Sequence, residues 1–243
     1  MPLPAQLRAL GVVPGDTLML HASMRAVGCR ADELLDALQQ TIGPKGSLLM
    51  LICAPEEPPF HPQTSPAWDE LGVLSEVFRT RPGVILNAHP ITRMGAWGAR
   101  AEALVEEPPL DDYYGPGSPL ERLVAVGGKV LRMGADEDTT TLFHHAEYLA
   151  EVSDKRRTEH RVRVTSPAGG CREICVRCLD DEVGIRPWEG PDYFSLILRE
   201  LLAAGLASQG RVGNAPSHCI PAAQGVAFAK AWMERHLQAP GQP

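Results

Sequence analysis

The sequence lacks long apolar runs and an excess of positive charge. No stretch approaches the roughly 20 apolar residues that a membrane-spanning helix needs. The first residues, MPLPAQLRALGVVPGD, lack the basic end and apolar core of a signal peptide. The formal net charge of -7 disfavours nucleic acid or an anionic membrane as a partner. We therefore expect a cytoplasmic protein that binds neither.

Cysteine is too sparse and scattered to indicate a disulfide framework. The chain has six cysteines and is large enough to fold without disulfide bonds. Three of them form the C-x3-C-x2-C run of CREICVRC, at Cys171, Cys175 and Cys178. A structural zinc site usually takes four ligands from two compact pairs, and no second pair follows. Because REICVRCL alternates as a half-buried strand does, we expect reduced thiols on a strand and no metal.

Tandem repeats, low-complexity blocks and convincing linkers are also missing. At 243 residues the chain can build one substantial hydrophobic core, and its 44% hydrophobic content suits a soluble globular protein. We therefore expect a single compact domain over residues 1–243.

Apolar runs alternate with helical periods along the chain. DTLMLHAS, SLLMLICA and GKVLRMGA predict buried strands, and ADELLDALQQTIG predicts a helix between the first two. LGVLSEVFRTRPG, PDYFSLILRELLAAGLA and AAQGVAFAKAWMERHL predict further helices. HRVRVTSPAGGCREICVRCL predicts two strands joined by a Ser-Pro/Gly-Gly turn. Strand, helix and strand in this order indicate an α/β fold.

One long segment fits neither pattern. APEEPPFHPQTSPAWDE, residues 54–70, is polar, rich in proline and too long for a simple connection. Long ordered loops often border active sites, so this segment is a candidate rim of a substrate site.

The peptide TTTLFHHAEYLA places two imidazoles and a carboxylate at the start of a helix. Taken alone, it is compatible with a metal site, a general base or an ordinary capped helix. A metal site built on His144 and Glu147 would need a second such pair on another helix, and the sequence offers none.

Two other short motifs are weak when taken singly. HASMRAVG leaves a buried strand with small and polar residues, which suits either a phosphate-binding turn or an ordinary one. Ser118 in GPGSPLERL suits either an N-cap or a loop whose free N–H groups meet a ligand. A lone histidine such as His89 is more often structural than catalytic.

Taken in order, these motifs resemble those of the aminoglycoside 3-N-acetyltransferase family. The resembling segments are GVVPGDTLMLHASMRAVG, GPKGSLLM, LGVLSEVFRTRPG, AHPITRMGAWGARAE, GSPLERL, KVLRMGADEDTTTLFHHAEY and GRVGNAP. The most specific element is D-x-x-T-x-x-H-x-A-E, at Asp138, Thr141, His144, Ala146 and Glu147. The resemblance implies a mostly mixed central sheet flanked by helices, a fold distinct from that of the more common acetyl-CoA-dependent N-acetyltransferases.

The same resemblance assigns catalytic roles. His144 matches a general base that takes a proton from the attacking amine, and Asp138 matches the acid that would hold its tautomer and stabilise its cation. Glu189 matches a catalytic carboxylate, which could equally hold the substrate ammonium. Thr141 would face the acetyl carbonyl or thiol, with a helix cap as the alternative.

Two neighbours of His144 receive lesser roles. His145 points about 100° away from His144 on a helix, and we expect it to be structural. Glu147 would only orient the His144 ring or help the turn.

Acetyl-CoA is the implied acetyl donor. Seven residues match the cofactor loops of the family: Ser23, Met24, Arg25, Ala26, Val27, Ser118 and Pro119. His89 is expected near the tunnel that holds the cofactor. Arg93 would lie close by, where the family commonly has a small residue such as serine. Asn214 matches a late turn near the acceptor, although a turn asparagine also explains it.

The resemblance therefore predicts acetyl transfer to the 3-amine of aminoglycoside antibiotics, directly from acetyl-CoA in a ternary complex and without a metal. Three alternatives remain open. The first is the same transfer to another amine, and the second is a CoA-binding protein without turnover. The third is a metal hydrolase that uses His144, Glu147 and the cysteines.

Overall fold

The computed structural model describes residues 1–166 and 169–238, and in those ranges the chain forms nine α-helices and nine β-strands. The helices are α1 (Leu3–Ala9), α2 (Met24–Val27), α3 (Ala31–Ile42), α4 (Val73–Arg79), α5 (Ala101–Val105), α6 (Pro119–Ala125), α7 (Leu142–Leu149), α8 (Tyr193–Ala203) and α9 (Ala222–His236). The strands are β1 (Thr17–Ala22), β2 (Ser47–Leu51), β3 (Ile85–Leu86), β4 (Met94–Gly98), β5 (Lys129–Met133), β6 (Arg157–Thr165), β7 (Cys171–Leu179), β8 (Ser208–Val212) and β9 (Ala215–Pro221).

Seven of the described strands form one mixed sheet in the order β3-β4-β2-β1-β5-β9-β8. Strand β1 lies at its centre and runs parallel to both β2 and β5, whereas the outer pairs are antiparallel. This confirms the expected α/β fold with a mostly mixed sheet. In the described part of the chain, no helix has both the length and the apolar character needed to cross a membrane.

The two faces of the sheet support separate hydrophobic clusters. Met19 and Val130 belong to one cluster, with apolar side chains of α5 to α9, whereas Leu18 and Leu131 belong to the other, with those of α1, α3 and α4. Alternate residues of a strand point to opposite faces, so β1 and β5 are apolar on both sides. Each fully buried side chain of this kind contributes about 1.5–3 kcal/mol. Burial on both faces therefore makes these strands a rigid support for the loops at their ends.

The loops that leave β1 and β5 meet at the carboxyl end of these parallel strands. The Ser23 amide donates to the Met133 carbonyl at 3.0 Å. Gly134 directly follows β5 and has φ 66°. A Cβ at this position would lie 2.5 Å from the Cβ of Ala26, because the two loops lie very close together there. Ligands of open α/β sheets bind at this edge. The fold therefore brings the HASMRAVG loop beside the segment that leads into α7.

Strands β6 and β7 form a hairpin outside the main sheet, as the sequence predicts. Pro167 of the predicted turn, and Ala168, lie outside the described residues. Cys171 and Cys175 are exposed on β7, whereas Cys178 is buried on its other side. The three thiols therefore point to different sides of the strand and do not converge on one point.

Arg93 anchors the proline-rich segment. Its buried guanidinium donates to the carbonyls of Ile52, Pro62 and Pro66 at 2.9 to 3.1 Å and lies 5.5 Å from the centre of the Phe60 ring. Burial lowers the pKa of Arg93 to about 10, so the group remains a cation at neutral pH. The donors of Arg93 are therefore directed at the backbone of the segment, and its place near the cofactor remains a prediction.

Candidate active site

His144 lies in the first turn of α7 and is hydrogen bonded to a carboxylate of the same helix. Its Nδ1 atom is 2.8 Å from Oε2 of Glu147, one turn further on. The side chain of Glu147 is 1% exposed and that of His144 is 18% exposed. The pair is therefore open to solvent only on the imidazole side. Glu147 orients the ring, which is one of the two lesser roles expected for it.

Tyr193 engages the second oxygen of this carboxylate. Its hydroxyl donates to Oε1 of Glu147 and accepts a hydrogen bond from the Ile185 amide at 3.3 Å. Tyr193 is 5% exposed. Burial, followed by the charge of Glu147, raises the pKa of the phenol far above its ordinary value, so the hydroxyl stays protonated and donates. Glu147 is thus held at both oxygens.

Two aromatic rings fix the plane of the imidazole. The Tyr114 ring stacks on His144 with centroids 4.9 Å apart and an interplanar angle of 8°. Phe194 packs its edge against the ring at 4.8 Å. When Nδ1 donates to Glu147, Nε2 is the nitrogen with a free lone pair. Within residues 1–166 and 169–238, Nε2 has no hydrogen-bond partner.

The surroundings of His144 favour its protonated form. Burial on its own lowers the pKa of His144, but the charge of Glu147 and its hydrogen bond outweigh burial, and the pKa lies above its ordinary value. Asp181 and Asp192 raise it further through their charges. Because a base must be neutral to accept a proton, the reactive form of His144 becomes dominant only above this raised pKa.

His145 faces the interior and is held by backbone. Its Nδ1 atom lies 2.8 Å from the carbonyl oxygen of Tyr114, and the residue is 2% exposed. Burial lowers its pKa. This agrees with the expected structural role, since the carbonyl that it binds belongs to the residue stacked on His144.

Asp138 does not make the contact expected of it. Its side chain is exposed and accepts a hydrogen bond from the Thr139 hydroxyl at 3.4 Å. The reason lies in the turn that carries it: Asp136 accepts from the Thr139 amide, and buried Arg132 donates to the same carbonyl. Glu147 is the acid at Nδ1 instead. A longer-range effect of Asp138 on the imidazolium remains a prediction.

Thr141 and Glu189 occupy different kinds of position. Thr141 directly precedes α7, is 8% exposed and makes no side-chain capping hydrogen bond, which disfavours the alternative of a helix cap. Glu189 is exposed in the loop between β7 and α8, and within the described residues its side chain forms no ion pair. Their catalytic roles remain predictions.

Residues 23–27 comprise the one-turn helix α2 and its N-cap residue, Ser23. Ser23 caps α2 by accepting from the Ala26 amide at 3.4 Å. Val27 is buried, whereas Met24 and Ala26 are half-buried. Arg25 is exposed, and in the described ranges it forms no ion pair with another residue. Its guanidinium is therefore available to an anionic ligand.

The side chains of Ser118 and His89 are hydrogen bonded to the backbone within the protein. Ser118 is fully buried, donates to the Tyr114 carbonyl and accepts from the Glu121 amide, both at 3.2 Å. His89 is 1% exposed, and its ring nitrogens lie 3.0 Å from the Leu110 carbonyl and 3.1 Å from the Thr92 amide. Pro119 is buried as well. These contacts tie the side chains of Ser118 and His89 to neighbouring loops, and the place of Ser118, Pro119 and His89 beside coenzyme A remains a prediction.

A cavity of about 460 Å³ borders the proline-rich segment and the hairpin. It is lined by residues of both, with further residues from two loops: Phe60, Pro62, Ala88, His89, Pro90, Glu107, Pro108, Leu110, Val164, Thr165, Ser166, Arg172 and Ile174. His144 is not among the lining residues. The expected rim therefore borders an open space, but one beside the His144 site rather than at it.

One cluster of side chains has the composition of a metal site. Ligand atoms of His160, Cys178 and Asp181 lie within 4.8 Å of one another. Tyr113 already satisfies two of them, since its hydroxyl donates to Asp181 at 3.0 Å and accepts from the Cys178 thiol at 3.4 Å. Burial raises the pKa of that thiol to about 11, so it stays protonated. Asp181 and Cys178 are therefore joined in a hydrogen-bond network through Tyr113, whereas Nε2 of His160 is buried without a hydrogen-bond partner among the described residues.

Several residues around His144 were not predicted from the sequence motifs. Tyr114, Tyr193 and Phe194 contact the His144–Glu147 pair, and Asp181 acts on it through its charge. The available signal was PDYF, where a capping Asp192 places two aromatic residues in the first turn of a helix.

The chain is similar to known proteins over almost its whole length. Residues 19–234 match the model of the family Aminoglycoside 3-N-acetyltransferase (Antibiotic_NAT). Aminoglycoside N(3)-acetyltransferase VII of Streptomyces paromomycinus is 37% identical over 97% of this chain and 91% of the relative.

The chain belongs to the aminoglycoside 3-N-acetyltransferase family.

Solved structures of such acetyltransferases show the same fold. AAC-IIIb in its binary complex with CoASH superposes with a TM-score of 0.93 at 37% identity and covers 99% of this chain and 97% of its own. AAC-VIa bound to sisomicin gives a TM-score of 0.90 at 34% identity, covering 98% and 97%. Membership confirms the resemblance drawn from the sequence motifs and places the chain among the acyltransferases.

Proposed function

We propose that this protein transfers the acetyl group of acetyl-CoA to the 3-amine of an aminoglycoside, with His144 as the general base. The observation that carries the proposal is the pair formed by His144 and Glu147 at 2.8 Å, whose carboxylate is buried while Nε2 of the imidazole is free. An alkylammonium cannot attack a thioester until it loses a proton, and a neutral imidazole at this position can accept it.

The reaction conserves atoms and charge in a simple way. Nε2 of His144 takes a proton from the acceptor ammonium, and the released lone pair attacks the thioester carbonyl. The C–N bond forms, the nitrogen of the adduct gives up its second proton, and the C–S bond breaks. The sulfur leaves as a thiolate that takes up one proton, so the overall reaction releases one proton to solvent. Glu147 stabilises the imidazolium that forms on the way. Thr141, next to His144, would donate to the carbonyl oxygen as negative charge develops on it.

The donor side of the site is formed by residues 23–27. Pantetheine amides need exposed backbone donors and acceptors, and coenzyme A phosphates need a cation. Arg25 supplies an exposed guanidinium that forms no ion pair with any residue of the described ranges. The likeness to AAC-IIIb, solved with CoASH, supports coenzyme A as the ligand. Ser118, Pro119 and His89 contribute by fixing neighbouring loops.

The acceptor side is anionic, as a polyamine sugar requires. Asp181 and Asp192 act on His144 through their charges, and Glu189 lies in the loop between them. A cationic acceptor near these carboxylates would oppose the protonation of His144, which lowers its raised pKa when the substrate binds. The likeness to AAC-VIa, solved with sisomicin, supports an aminoglycoside as the acceptor.

A thiol-release assay with acetyl-CoA tests the proposal. The acceptors are a panel of aminoglycosides with and without a free 3-amine, together with simple diamines, and mass spectrometry locates the added acetyl group. We expect release of one thiol per aminoglycoside acetylated at the 3-amine. Turnover with diamines but not with aminoglycosides would replace the acceptor with another amine. Coenzyme A binding without any thiol release would indicate a binding protein.

A further inference from the structure

Tyr193 is the only described residue that donates to the oxygen of Glu147 facing away from His144. Its hydroxyl is buried and stays protonated at all working pH values, because burial and the nearby carboxylate raise the pKa of the phenol. A carboxylate that accepts a hydrogen bond at one oxygen shares its negative charge with that donor. The strength of its interaction with an imidazolium at the other oxygen therefore depends on the first hydrogen bond.

The chain builds a specific place for this hydroxyl. Gly184, with φ 83°, lies so close that a Cβ there would be 2.5 Å from Cε1 and 2.8 Å from the hydroxyl oxygen of Tyr193. The Ile185 amide donates to the same oxygen. Asp192 caps α8 through the Ser195 amide at 2.8 Å, which fixes where the first turn of that helix begins. Three independent features thus aim one hydroxyl at Glu147.

We infer that Tyr193 is a positioning residue that sets the basicity of His144 through Glu147. Resting on the proposed function of His144 as the base, this gives the loop between β7 and α8 a direct influence on proton transfer. The same loop contains Asp181, near its start, and Glu189. A change of that loop on acceptor binding would reach His144 through the Tyr193 hydroxyl as well as through charge.

The sign of the effect is set by the hydrogen bonds. In Tyr193→Phe, Glu147 loses the donor at Oε1 and directs more of its charge to Oε2. The imidazolium is then stabilised more strongly, so the pKa of His144 rises above its value in the wild type. We expect a rise of roughly half a unit to one unit, the scale of one lost hydrogen bond. Replacing Tyr193 with a fluorinated tyrosine, whose phenol is a stronger donor, moves the pKa in the opposite direction.

The matched control is Tyr148→Phe. Tyr148 belongs to α7 and is half-buried, and its hydroxyl accepts from the Leu179 amide at 3.0 Å rather than contacting Glu147. This variant also removes one phenol hydroxyl near the site, so it reports any general loss of packing. We expect it to leave the pKa of His144 unchanged.

The experiment measures the ¹⁵N shifts of the His144 ring against pH in the full-length protein and, separately, the pH dependence of kcat. The inference holds if Tyr193→Phe raises the midpoint of the His144 titration, fluorotyrosine at position 193 lowers this midpoint, and Tyr148→Phe leaves it unchanged. An unmoved midpoint in Tyr193→Phe overturns the inference while leaving the base intact. If the midpoint of the His144 titration moves but the pH dependence of kcat does not, Tyr193 sets the pKa of His144, and His144 is not the base.

Discussion

The turn before α7 and the first turns of α7 each carry a carboxylate close to His144 in the chain, and they differ in exposure and in partners. Asp138 in the turn is exposed and bonded to the neighbouring Thr139. Glu147 in the helix is 1% exposed and bonded at both oxygens, to His144 and to Tyr193. Water screens the first carboxylate, whereas the second acts on the imidazole at contact distance. The acid that acts most strongly on His144 is thus the one that is buried and hydrogen bonded to it.

Removing the imidazole should have the largest effect. His144→Ala should lower kcat by at least about 100-fold, because no group is then placed to accept the proton. Acetyl-CoA binding, measured by calorimetry, should be preserved, since residues 23–27 are not altered. A variant that turned over near the wild-type rate would remove the base from the mechanism and leave only a shared coenzyme A site.

Glu147→Gln should have the next largest effect and should test the buried side of the comparison. We expect kcat to fall by roughly 10-fold to 100-fold, because Gln stabilises neither the tautomer nor the imidazolium well. The pKa of His144 is raised mainly by the charge of Glu147 against the effect of burial. Loss of that charge should therefore move the rising limb of the pH–rate profile to lower pH. A limb that stayed above the ordinary histidine pKa would contradict the assignment.

Arg25→Ala tests whether an exposed charge contributes to the affinity for a ligand that contacts it. The guanidinium has no ion-pair partner in the described part of the chain, so its contribution should appear only when coenzyme A is bound. We expect acetyl-CoA affinity to weaken by roughly 1–3 kcal/mol. Arg8→Ala, which removes another exposed arginine, from α1, serves as the control. A change confined to acceptor affinity would move residues 23–27 to the other side of the site.

Asp138→Asn should have the smallest effect. An exposed charge in water contributes little to a group that it does not touch, so kcat should change by less than about threefold. The pH limb should stay where it is in the wild type. Measured beside Glu147→Gln, an equal or greater loss in Asp138→Asn would reverse the comparison and imply that the turn refolds onto the imidazole when substrates bind.

Much of the fold could be predicted from local patterns. The apolar strands β1, β2 and β5, the amphipathic helices α3, α8 and α9, and the β6–β7 hairpin each carry a period that their own residues define. Strands β3, β4, β8 and β9 were not predicted. Strand β3 has two residues, β4 and β8 contain glycine, and β9 contains two prolines, so pairing with neighbours defines these strands more than their own composition does.

The site was predictable where spacing along one helix suffices. Glu147 follows His144 by three positions, which places the two on one face of α7 whatever the rest of the chain does. Tyr193 comes 46 positions after Glu147, and no local rule connects them. Asp138 was expected at the imidazole because it matches the family's acid, and a sequence motif alone does not tell which of its acids is buried against the histidine.

The hydrogen bonds from Arg93 to the proline-rich segment bear on how much the sequence of that segment can vary. The guanidinium recognises three backbone carbonyls, which every amino acid possesses, and it makes few demands on side chains. The residues whose side chains make no such contact could therefore vary without loss of this anchor, whereas Phe60, His61, Ser65 and Glu57 also hold the segment through their side chains. Variation in that region would alter the lining of the cavity that the segment borders, while His144 and Glu147 on α7 stayed unchanged.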